Sequence, residues 1–152
     1  MEFGLVFILR VVQALFALIV LGLTGHLVNV AWFTPSELGF NLFNSIWTFF
    51  IVVPFLVLAP VYAPALAHKY GLLASEAITT IFWFAGFIAM AAELDDVGDC
   101  RGNNFCSEWK AATAFGAFEF ALFLGTVIYI YVLPLIRGRN KSATTAEPNP
   151  GV

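Results

Sequence analysis

Four long apolar runs limit what this chain is able to become. They lie at roughly Val11–Ala31, Phe40–Tyr62, Gly71–Ala92 and Ala111–Ile136. A helix of about 20 apolar residues crosses the ~30 Å hydrocarbon core of a bilayer, and each run reaches or exceeds that length. Buried strands are far shorter, about 4–8 residues. Core helices of a soluble protein are no better a reading, because too little chain remains to cover them. Of the 152 residues, 61% are hydrophobic and 11% charged, whereas soluble domains carry about 25% charged residues. Mean hydropathy is +0.88. The expected fold is all-α, an antiparallel bundle of four transmembrane helices. Cleavage of the first run as a signal peptide fits poorly, since Arg10 follows an already apolar FGLVFIL and no A-x-A-like site comes after the run.

Bases near span ends set orientation. Arg10, Lys69, Arg137, Arg139 and Lys141 fall on one side, against Arg101 and Lys110 on the other. That split predicts cytosolic N- and C-termini, with the links at 32–39 and 93–110 outside. Trp32 and Trp109 are expected to mark the outer interface, and Tyr62 and Tyr70 the inner one. Trp47 and Trp83 lie deeper and read as packing or lipid-facing residues. The polar tail Gly138–Val152, rich in Pro, Ser and Thr, is expected to be disordered. It contains the sequon Asn140-Lys141-Ser142, which a cytosolic location keeps unglycosylated.

Glu119 is the only charge between Lys110 and Arg137. Counted from the outer side, it lies roughly 13 Å deep at 1.5 Å per residue. An intramembrane acid is either an ion or proton site, or a polar group that ties helices together. The surroundings favour the second reading. Ala112 with Gly116, and Ala117 with Ala121, give small-x-x-x-small spacings suited to close helix contact. Thr24, His26, Asn44, Ser45 and Thr48 supply polar groups at plausible depth. Glu76 reads as an interfacial, snorkelling acid paired with Arg10, Lys69 or Arg137. Gln13 and Asn41 read as further interface-level polar groups. Pro54, Pro60 and Pro134 are expected to kink their spans.

Cys100 and Cys106 flank a loop in which Gly102 and an Asn pair allow a reversal, and an oxidising outer side favours a disulfide between them. No catalytic constellation is found: two histidines do not make a haem pair or a His-rich metal site, and no nucleophile, phosphate-loop or zinc-protease motif occurs. No cofactor is expected. A net charge of −3 without a basic stripe gives no reason to expect a nucleic-acid partner.

The opening RVVQALFALIVLGLTG at 10–25, AITTIFWFAGFIAMA at 77–91, and Cys106 followed by EWKAATAFGAFEFALFL at 108–124 occur in one order along the chain. In that order the sequence resembles the fungal MARVEL-domain four-span proteins, including the non-classical-export and eisosome-associated membrane organisers. The resemblance covers roughly residues 5–137. It implies a non-enzymatic organiser of plasma-membrane or vesicle domains, with sterol or sphingolipid association and partners among other membrane proteins or further copies. It brings no catalytic residues. The tail is short beside the long extensions some members carry. A transporter or channel subunit using Glu119 is the alternative.

Overall fold

Each apolar run forms a helix that extends past the run itself. The structure, a computed structural model, describes residues 2–31, 35–65, 68–97 and 100–145. Trp32, Asp99 and residues 146–152, on which some of the expectations above fall, lie outside these. The first span is α1, Glu2–Val30. The second is composite: α2 (Ser36–Ile46), a π-helical turn (Trp47–Val52) and α3 (Val53–Tyr62). The third is α4, Lys69–Val97. The fourth joins α5 (Asn104–Val127), a second π turn (Ile128–Val132) and α6 (Leu133–Thr145). No strand occurs among the described residues.

The π turns sit where the sequence explains them. Pro54 and Pro134 lack an N–H and crowd the carbonyl four residues back. In both cases the turn just before the proline widens to the i→i+5 pattern, which absorbs the misfit without exposing backbone to lipid. Pro60 lies inside α3 with no such turn before it. At the start of α5, the Asn103 side chain caps the helix by accepting from the Phe105 N–H at 3.1 Å. Gly102 precedes it at φ 78°, in the left-handed region that glycine enters without strain.

The four spans pack as an antiparallel square. The first lies against the second and fourth, and the third lies against the same two. One end carries Glu2 and Thr145; the other carries the disulfide loop. The fourth span runs on further than its composition suggested. Residues 138–145, expected as disordered, continue the helix to Thr145. An anchored helix extends without a new nucleation step. Gly138 is a single weak link of about 1 kcal/mol, and the next proline is Pro148.

Candidate functional site, a buried polar seam

The interior is lined at heptad spacing. On the first span the buried positions are Arg10, Gln13, Ala17, Val20, Thr24 and Leu27. On α5 they include Trp109, Ala112, Gly116, Glu119, Phe123 and Thr126, with Cys106 and Thr113 buried beside them. Both series step alternately by three and four residues, as a seam of two helices in long contact requires. Their antiparallel register is visible in side-chain contacts. The Phe16 ring lies 5.3 Å from that of Phe115 and 6.2 Å from that of Phe118, and His26 Nδ1 is 2.7 Å from Glu108 Oε2 at the disulfide end.

Nearest the terminal end, Arg10 reaches across the square. Its Nη2 donates to Glu76 Oε1, and its Nη1 donates to Gln13 Oε1 at 2.9 Å. The Thr126 hydroxyl, from the fourth span, lies 3.3 Å from Glu76 Oε2 and 2.9 Å from the Phe123 carbonyl. Tyr131 is buried as well. One ion pair thus holds three spans. The snorkelling reading of Glu76 is corrected here: Glu76 is 0% exposed, and Lys69 and Arg137, its other candidate partners, are exposed. The third helix begins at Lys69, two turns earlier, and the phase of the seam turns Glu76 inward.

Between the second and third spans the links are neutral. Asn41 Nδ2 donates to the carbonyls of Gly86 (3.0 Å) and Glu37 (2.9 Å). Asn44 Nδ2 donates to the Phe82 carbonyl at 3.0 Å. Trp83 Nε1 donates to Thr48 Oγ1 at 3.0 Å, and Trp47 Nε1 to Thr79 Oγ1 at 3.2 Å. Gln13 and Asn41, expected at the interface, are both buried in the core. So is Trp109, expected as an outer belt residue, which donates to the Met90 carbonyl at 2.9 Å. Tyr62 and Tyr70 are exposed at the terminal end.

Glu119 is 0% exposed, and neither carboxyl oxygen has a hydrogen-bond partner among the described residues. Its carboxyl comes near the α1 backbone at Ala17 without meeting hydrogen-bond geometry there. The expected polar clasp is therefore not made by the side chains proposed for it. Thr24 bonds its own helix at the Val20 carbonyl, His26 is exposed beside Glu108, and Asn44, Ser45 and Thr48 are taken up by Phe82, Asn41 and Trp83. Of the small residues, Ala112 and Gly116 are buried, Ala117 is half-buried and Ala121 is exposed. Only the first pair lies in the seam. A Cβ on Gly116 would sit 3.3 Å from that of Phe87 and 3.7 Å from the Trp83 ring.

At the far end Cys100 and Cys106 form a disulfide, with Cα atoms 5.4 Å apart. It closes a short loop, so its removal is expected to lower stability by only about 2 kcal/mol on chain-entropy grounds. Unfolding of the Cys100→Ser/Cys106→Ser protein in bilayers checks this; a much larger loss would assign the loop a packing role.

Four apolar spans closed around internal polar links define an integral membrane protein of the four-span class. The chain belongs to the MARVEL family, the membrane-associating domain, whose pattern matches residues 3–129. No curated protein and no solved structure matches it.

Proposed function

We propose that this chain organises membrane domains or vesicle membranes without catalysis, through lipid association and association with further copies or other membrane proteins. The observation that carries the reading is the segregation of its side chains. The buried polar groups of the spans bond mostly inward, to backbone carbonyls or to one another, while the outward faces of all four spans present bulky apolar groups such as Phe7, Phe50, Ile81 and Phe118. A surface of this kind interacts with acyl chains and with other helices by packing alone. The resemblance to fungal non-classical-export and eisosome-associated proteins points the same way, and supports a location in the plasma membrane or secretory vesicles with sterol- or sphingolipid-rich surroundings. A transport reading built on Glu119 has no support: Arg10 and Glu76 are committed to each other, and neither carboxyl oxygen of Glu119 has a hydrogen-bond partner among the described residues.

Single-molecule imaging of labelled protein in supported bilayers tests the proposal. Clusters are expected to grow when sterol and sphingolipid are added. Persistent monomers, indifferent to lipid composition, would sink it.

The termini are proposed to be cytosolic. Arg10 is spent inside the bundle, so four bases rather than five support this side, still against two. Asn140 is then expected to stay unglycosylated in cells; a glycan there reverses the orientation.

A further inference from the structure

We propose that Gln13 and Glu119 together bind one water molecule in the middle of the bundle. The seam leaves two unpartnered side chains of opposite kind. Gln13 Nε2 is a donor without an acceptor, and Glu119 Oε1 and Oε2 are acceptors without a donor. Both residues are 0% exposed. The register of the first and fourth spans brings them to one level: Gln13 falls between Arg10, linked through Glu76 to Thr126, and Phe16, whose ring meets Phe115 and Phe118. The Glu119 carboxyl comes near the backbone at Ala17, and Gln13 is one turn away on the same face of α1, about 5.4 Å along the axis.

The direction of the Gln13 amide is fixed by its other end. Oε1 accepts from Arg10 Nη1. Exchanging the two ends would set one donor against another, so Nε2 must point away from Arg10. A direct bond of about 2.9 Å is not made. A water molecule fits the chemistry, because it accepts from the amide and donates to the carboxyl, and buried waters make about three such bonds. With it in place, the polar contacts run unbroken from Glu76 on the third span, through Arg10 and Gln13 on the first, to Glu119 on the fourth. Asn44 Oδ1, the other unpartnered atom, belongs to the second span's contact with Phe82.

Gln13 is the only glutamine in the chain, so nitrogen-15 glutamine labelling gives a single side-chain signal. In full-length protein reconstituted in nanodiscs, the Gln13 amide protons are expected to show a cross-peak to a long-lived water. The Gln13 cross-peak, told apart from that of the second glutamine by comparison with Gln13→Met/Glu119→Gln, should persist in Glu119→Gln and vanish in Glu119→Met. In unfolding measurements Gln13→Met and Glu119→Met should each lower the folded-to-unfolded ratio about tenfold, the effect of orphaning one buried polar group. The double variant should lose about tenfold as well, because the water then goes and only Arg10 Nη1, stripped of Gln13 Oε1, is left unpartnered. Absence of the water cross-peak in the unaltered protein overturns the proposal, even if Glu119→Met fails to fold. A double variant that loses about a hundredfold, the product of independent effects, overturns it too.

Discussion

Replacing Arg10 with Met is expected to destabilise the bundle by about 3–5 kcal/mol, the effect of leaving a buried charge without its partner. Glu76→Met should do the same from the other side, since it strands the guanidinium between the first and third spans. Because the two charges are stranded only singly, the Arg10→Met/Glu76→Met double variant should recover most of the loss. Reversible unfolding in bicelles, run as a double-mutant cycle, reads all three. The scale of the effect separates the ion pair from its neutral neighbours. Side-chain hydrogen bonds between membrane helices average about 0.6 kcal/mol and reach about 1.7, so Trp83→Phe, which removes the bond to Thr48, should fall well below either single charge removal. Lys69→Met and Arg137→Met, on exposed residues at the same end, should shift stability by no more than about 0.5 kcal/mol. If they matched Arg10→Met, the buried ion pair would not be what fastens the first and third spans.

The second large effect is expected at Gly86. A Cβ there would stand 2.5 Å from Asn41 Oδ1 and 2.8 Å from Asn44 Nδ2. Both amides are already tethered to third-span carbonyls at Gly86 and Phe82. They must swing out or the helices must part. Gly86→Ala is therefore expected to lower stability by about 1–3 kcal/mol, the usual range for overpacking a well-filled core. Gly22→Ala and Gly125→Ala serve as controls, since an added Cβ meets nothing within 4 Å at either position. Both should be neutral or slightly stabilising, because alanine is the better helix former. A Gly86→Ala protein as stable as these controls would mean that the second and third spans slide freely past each other.

The spans were legible in the sequence because length and hydropathy suffice for them, and the Cys100–Cys106 pairing followed from spacing and loop composition. Partners were harder to read. Arg10 is among the groups the sequence offers to Glu76, but the apolar runs start at Val11 and Gly71, which sets the pair at the surface. In the structure the helices begin at Lys69 and Glu2, which carries both residues about two turns inside. The small-residue spacing at Ala117 and Ala121 misled for a related reason. A four-residue repeat drifts around a helix and selects no face, whereas the three-four alternation through Trp109, Ala112, Gly116, Glu119 and Phe123 does. The same alternation through Arg10, Gln13 and Ala17 was available in the sequence and would have placed all three indoors. What no pattern supplied is that Glu119 makes no direct side-chain bond, which depends on Thr24, Asn44, Ser45 and Thr48 each having found another partner first.

The two π turns have a consequence for comparing relatives. On the second span the buried series runs Leu38, Asn41, Ser45, Thr48, Val52, and then resumes at Leu56 rather than at 55. On the fourth it runs Phe123, Thr126, and then Tyr131 rather than 130. Each π turn has inserted one residue and set the inward face back by one place. A relative lacking one residue within 47–52 or 128–132 would therefore keep the same inward-facing set on an ordinary α-helix. Aligned against this chain, it would show a single-residue gap in the middle of a membrane span. Such a gap should be accepted as homologous packing, not moved out to the nearest loop.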